Sequence, residues 1–199
     1  MSERNLPAED ELLESENMIR LYSRGAFPMA DDSGRIEWYF PERRTIIPLD
    51  NYNIPRSLKK LIAASNDMIR FDCAEMAVIK NCANRERTWI SPKLIAAYEK
   101  LIKNKYLHSV EVWENEELVG GLYGVTYKGA FFGESMFSKK TQASKIALVK
   151  LIEHLVKKNY ILLDVQYQTP HLKMFGATEI SFAEFSILLQ EAHSVDCVF

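Results

Sequence analysis

A chain of 199 residues that is 47% hydrophobic and 26% charged can bury the core of one ordinary domain with an appendage, or of two small ones, and is too apolar to be disordered. Its 25 Lys and Arg against 27 Asp and Glu leave a net charge of -2, which argues against wholesale coating of nucleic acid but leaves room for a basic patch on a few phosphates. Cys73, Cys82 and Cys197 lack CxxC spacing, against a disulfide framework or zinc site, and an acidic start with no later run of ~20 apolar residues argues against a signal peptide or membrane span, so a cytoplasmic protein without metal is expected.

The first ten or so residues read as a frayed tail. A helix is predicted from about Glu11 to Ser23 and stopped at Arg24-Gly25-Ala26-Phe27-Pro28, where Gly supplies a C-cap and Pro forbids continuation. Short strand-like runs follow at Ile36 to Phe40 and Thr45 to Leu49, then a short helix from Ser57 to Ala64. Residues 1–65 are taken as a small N-terminal lobe, and residues 66–199 as the main domain.

From Met68 the pattern becomes regular. A strand at Ile69 to Phe71 leads to a helix from about Ala74 to Cys82, and a second helix opens at Ser91-Pro92, an N-cap followed by Pro at the first helical position, and runs to about Lys103. Strands follow at His108 to Trp113, Glu117 to Tyr127 and Ala130 to Phe137, with Asn115-Glu116 and Lys128-Gly129 as hairpin turns. Gly120, Gly121 and Gly124 in the middle strand suit a bulge or a close backbone approach. A long helix from about Thr141 to Lys158 is apolar around much of its circumference, so it is predicted to be buried. A strand at Ile161 to Gln166, a short helix at Thr169 to Phe175, a strand near Thr178 to Ile180 and a helix from Phe182 to about Ala192 complete the chain.

The strands on either side of the long helix carry the chemistry. Side chains two apart on a strand share a face, so Glu134, Met136 and Ser138 are expected on one face of the first, and Asp164, Gln166 and Gln168 on one face of the second, opposite Leu163, Val165 and Tyr167. A right-handed helical crossover makes these strands parallel neighbours with their C-terminal ends side by side, the end where ligands bind in such sheets. Carboxylates and an amide beside an apolar pocket are what an acyl-transfer site requires.

The order β-α-α-β-β-β-α-β-α-β-α resembles the N-acetyltransferase-like fold, an α+β mixed sheet with flanking helices that splays between its fourth and fifth strands to admit the acyl donor. The junction Ser138 to Lys145 holds no Gly, which disfavours a CoA pyrophosphate turn. Lys139, Lys140 and Lys145 are instead candidates for contact with the phosphates of another donor.

The strings Tyr22-Ser23-Arg24-Gly25-Ala26-Phe27-Pro28, Thr88-Trp89-Ile90, Ala97-Tyr98, His108 to Trp113, Leu118 to Val125, Phe132 to Ser138, Ala143-Ser144-Lys145 and Thr169 to Leu172 together resemble the bacterial leucyl/phenylalanyl-tRNA–protein transferases. The resemblance spans about residue 18 to residue 190. It implies an enzyme without cofactor, working as a monomer, that moves Leu or Phe from the tRNA 3′ end to the N-terminal Lys or Arg of proteins and so marks them for degradation. It also implies that Gln166 holds the attacking amine, that Asp164 orients Gln166 and takes up positive charge, and that Glu134 attracts the acceptor's cationic side chain. Leu122, Met136, Leu151 and Leu155 then form the donor pocket, and Trp89 is a stacking platform for the terminal adenine. The chain departs from the family at Met29, where F-P-W is usual, at Leu151 and Leu155, where phenylalanines are common, and at Val165, where Cys is usual. Two other readings are an acyltransferase of this fold with another donor, and a non-catalytic module that binds RNA ends or protein N-termini. The histidines, His108, His154, His171 and His193, have no HExxH spacing and are expected to be structural.

Overall fold

A computed structural model describes residues 9–199; the expected tail lies, up to residue 8, outside them. Short helices α1 (Glu9–Leu12) and α2 (Ser15–Tyr22) are followed by strands β1 (Phe27–Ala30), β2 (Ile36–Tyr39) and β3 (Arg43–Ile46), then helix α3 (Arg56–Ala64). Next come β4 (Met68–Phe71), α4 (Glu75–Ala83), α5 (Pro92–Lys103), β5 (Leu107–Glu114), β6 (Glu117–Tyr127), β7 (Ala130–Ser138) and α6 (Ala143–Lys157). The chain ends with β8 (Leu162–Gln166), α7 (Pro170–Lys173), β9 (Thr178–Ser181) and α8 (Phe182–His193).

The order expected from Met68 onward is the order observed, and the local signals account for it. The Ser91 hydroxyl accepts from the Leu94 amide at 3.2 Å with Pro92 in the first turn of α5, and Leu94, Ala97, Tyr98 and Leu101 form its buried stripe. Asn115 and Glu116 both take positive φ, as the tight turn between β5 and β6 demands. Ser181 and Glu184 form a capping box at the start of α8.

The early segment differs from expectation in two places. The single helix breaks into α1 and α2 around the buried Leu13. Phe27 and Pro28, read as the end of a helix stop, open strand β1: Pro28 stands opposite Trp38 in a two-stranded ribbon, where a missing N–H costs little.

The larger sheet has seven strands in the order β4-β5-β6-β7-β8-β3-β9. All neighbours are antiparallel except β7 and β8, so the sheet is mixed. β3, from the first 65 residues, lies inside this sheet between β8 and β9. One face of the sheet carries α2, α4, α5 and α8, and the other carries α3 and α6, each over its own apolar core. The start of α6 presses on the middle of the sheet, where a β-carbon on Gly120 would overlap the Ala143 side chain. The close approach expected of the glycine-rich strand is found there. Among the described residues no helix is long and apolar enough to cross a membrane.

Two irregularities shape the site. β7 and β8 pair only at Ala130 with Leu162, Phe131 with Leu163 and Phe132 with Asp164, after which β7 runs on to Ser138 and the strands part. The expected splay is therefore present. The second irregularity overturns the simple alternation: Tyr123 pairs with Ser135 but Gly124 pairs with Gly133, so Glu134 is the extra residue of a bulge, which re-aims side chains. Glu134 keeps the face of Phe132, toward Tyr22 and Tyr98, while Met136 turns to the opposite core. Glu134 and Met136 thus lie on opposite faces, contrary to the alternation.

Candidate active site

Where β7 and β8 part, a cavity of about 520 Å³ opens. Its floor is apolar, formed by Leu122, Met136, Leu148, Leu151, Leu163 and Leu172, and its rim carries Arg85, Trp89, Glu134, Ser144, Gln166 and His171. Of the four residues expected in the donor pocket, Leu122, Met136 and Leu151 line it. Leu155, one helical turn further along α6, is fully buried in the core and does not. Leu148, one turn before Leu151, takes the place expected of it.

Glu134 is the polar centre. Tyr22 and Tyr98 donate their hydroxyls to its two oxygens at 3.0 and 2.8 Å, and the Gln166 side-chain amide donates to Oε1 at 3.2 Å. Burial pushes the Glu134 carboxyl up to about 7, against the pull of the tyrosine hydrogen bonds. Burial, and then the Glu134 charge, hold Tyr22 and Tyr98 well above the ordinary phenol value, so both stay protonated donors.

Gln166 ends its strand in a left-handed conformation, φ +64°, and the chain turns at once, with the Tyr167 amide donating to the Val165 carbonyl at 2.8 Å. That turn ends the alternation. Tyr167, expected on the face of Val165, instead sets its ring edge-on to Phe27 at 5.6 Å and remains 48% exposed in the cavity wall. Gln168 donates to the Ala177 carbonyl at 3.2 Å.

Asp164 is close to Gln166 and meets it through the backbone. It is completely buried, does not line the cavity, and forms a two-pronged ion pair with an equally buried Arg44. Its Oδ1 also accepts the backbone amide of Gln166 at 2.9 Å. Asp164 therefore holds the backbone of Gln166, while Glu134 holds its side chain.

Trp89 is half-buried in the rim, and its carbonyl accepts from the Ala30 amide at 3.1 Å, so strand β1 fixes the loop that carries it. No aromatic stands at Met29, and neither nearby aromatic fills in: Trp38 meets Tyr22 edge-on and Tyr39 stacks on Phe27. Tyr167 adds an exposed aromatic surface to the cavity wall. Of the three lysines, Lys140 is paired with Asp67 and Glu114 at 3.0 and 2.7 Å. Lys139 is exposed and Lys145 half-buried near His171, whose basicity is lowered by burial and by the Lys145 charge.

Residues 46–190 match the family model described as leucyl/phenylalanyl-tRNA protein transferase, and residues 12–42 match the model of that family's N-terminal domain. The chain belongs to the leucyl/phenylalanyl-tRNA protein transferase family. A relative named leucyl/phenylalanyl-tRNA–protein transferase, from Salinibacter ruber, is 45% identical over 179 residues, covering 89% of this chain and 79% of the relative. This leucyl/phenylalanyl-tRNA protein transferase family member is thus an enzyme of the aminoacyl-transfer class, and neither another donor nor a purely binding module is favoured. Arg44, Tyr22, Tyr98, Tyr167 and Leu148 shape its cavity but drew no role from the sequence. Tyr22 and Tyr98 stand inside strings that carry the family resemblance, which was the available signal.

Proposed function

We propose that the enzyme moves Leu or Phe from the 3′ end of aminoacyl-tRNA to the α-amine of proteins that begin with Lys or Arg, and that the transfer takes place at Gln166 and Glu134. The amine nitrogen attacks the ester carbonyl, a C–N bond forms, the ester C–O bond breaks, and the ribose oxygen leaves. The amine proton passes to Glu134 and from there to the leaving oxygen.

One observation carries this reading: the hydrogen bond from the Gln166 amide to Glu134 beside an apolar cavity. With its NH₂ group committed to Glu134, Gln166 presents its carbonyl oxygen as an acceptor for the attacking amine. An aminoacyl ester is already activated, so the protein's task is orientation and proton removal. A carboxyl near 7 suits the second, because a base works best when its pKa lies near the operating pH. The apolar floor sorts donors by size, each buried methylene being worth ~0.8 kcal/mol. Trp89 and Tyr167 provide flat faces for the terminal adenine.

The test is incubation with labelled Leu-, Phe- and other aminoacyl-tRNAs and with peptides beginning with Lys, Arg, Asp or Glu. Transfer is expected only for Leu or Phe onto Lys or Arg, and failure of every pair would end the proposal. In the same assay Trp89→Ala should raise the KM for aminoacyl-tRNA roughly tenfold, since stacking contributes ~1–3 kcal/mol per base. An unchanged KM would remove Trp89 from the donor site.

A further inference from the structure

We propose that Arg44 is a positioning residue for the transfer: acting through Asp164, it fixes the left-handed backbone of Gln166 and thereby aims the Gln166 amide. The inference rests on the role given to Gln166 above. Arg44 sits on β3, two strands from β7, and has no exposed surface. Its Nε donates to Asp164 Oδ1 at 2.8 Å and a terminal nitrogen to Oδ2 at 2.5 Å, while the other terminal nitrogen donates to the Gly25 carbonyl at 2.7 Å. The guanidinium lies between two rings, 4.6 Å from the centre of Phe27 and 4.8 Å from that of Phe185.

Burying such a pair is a poor way to stabilise a fold, because desolvation opposes the attraction and aliphatic side chains of similar volume often do as well or better. What aliphatic side chains lack is direction. Asp164 Oδ1 accepts from both Arg44 Nε and the Gln166 backbone amide, so the rotamer that Arg44 imposes on Asp164 is the one that holds Gln166 at φ +64°. That conformation is disfavoured for a non-glycine residue, and the Asp164 bond supports it at Gln166. Released, Gln166 relaxes toward an extended backbone, and its side chain leaves Glu134.

Lysine cannot substitute, since it is a point charge on a flexible stem without the planar fork. Arg44→Lys is expected to lower kcat at least tenfold while leaving the KM for aminoacyl-tRNA within twofold, because the donor cavity is not touched. In Arg44→Ala, guanidinium ion at millimolar concentration should restore part of kcat, and ammonium should not. Thermal melting of each variant gives the folded fraction. A kcat loss that merely follows the unfolded fraction, or parental kcat in folded Arg44→Lys, would overturn the inference. If Gln166→Ala itself retains full turnover, the reading of Gln166 fails first; if Gln166→Ala is inactive while folded Arg44→Lys is not, only the role of Arg44 falls.

Discussion

Gln166→Ala is expected to reduce turnover by about 10²-fold or more, the loss that follows when a reacting group is no longer held in place, with aminoacyl-tRNA affinity nearly unchanged. The reason is the division of labour at the end of β8. In the proposed site the apolar floor and Trp89 bind the donor, and Gln166 contributes one polar edge to that cavity, so its removal should leave donor binding intact. Its amide is the only group found bridging Glu134 to the cavity mouth among the described hydrogen bonds. Gln166→Asn should behave almost like Ala, because a side chain one methylene shorter cannot both reach Glu134 and meet the amine. Single-turnover transfer from labelled Leu-tRNA to a peptide beginning with Lys separates chemistry from binding. Equal losses in kcat and in donor affinity would mean that Gln166 belongs to the donor site.

Elements fixed by local chemistry were readable in the sequence. The Ser91-Pro92 start of α5, the Asn115-Glu116 turn and the apolar circumference of α6 each announce themselves within a few residues, and each is found where expected. The parallel neighbours β7 and β8 followed from a helical crossover, and the cavity from their parting. What escaped was set by contacts distant in sequence or by one-residue irregularities. A single bulge at Glu134 shifts the phase of β7, and a period-two reading has no means of registering it. The ion pair of Arg44 with Asp164 spans 120 residues, and in the sequence Arg44 is one of two adjacent arginines ahead of an apolar run. Lys140 reads like Lys139 until Asp67 and Glu114 are seen beside it. The residue types at the proposed reaction centre were legible; who holds whom was not.

Glu134→Gln should uncouple activity from stability in opposite directions. In the folded enzyme Glu134 titrates at about 7 against an ordinary 4.5, so the folded state holds its proton more tightly than the unfolded chain does. Stability from the protonated carboxyl is fully present below the ordinary value and is lost as pH rises through 7. Glutamine, a neutral stand-in for the protonated acid, should therefore melt above the parent at pH 8, by on the order of 1–3 kcal/mol, and close to it at pH 4. Activity moves the other way. Two groups must lose protons for transfer, Glu134 near 7 and the acceptor α-amine at ~7.7–8.0, so the logarithm of the parental rate should fall with a slope near two below pH 6.5. With Glu134→Gln the slope should drop to one and the plateau fall by about 10²-fold or more. On the proposed reading the desolvated carboxyl is a cost that the fold bears for catalysis at neutral pH. A variant that kept the steep acid limb would show that another group accepts the amine proton, and one that melted lower at pH 8 would show that the charged carboxylate, held by Tyr22 and Tyr98, is a net asset to the fold.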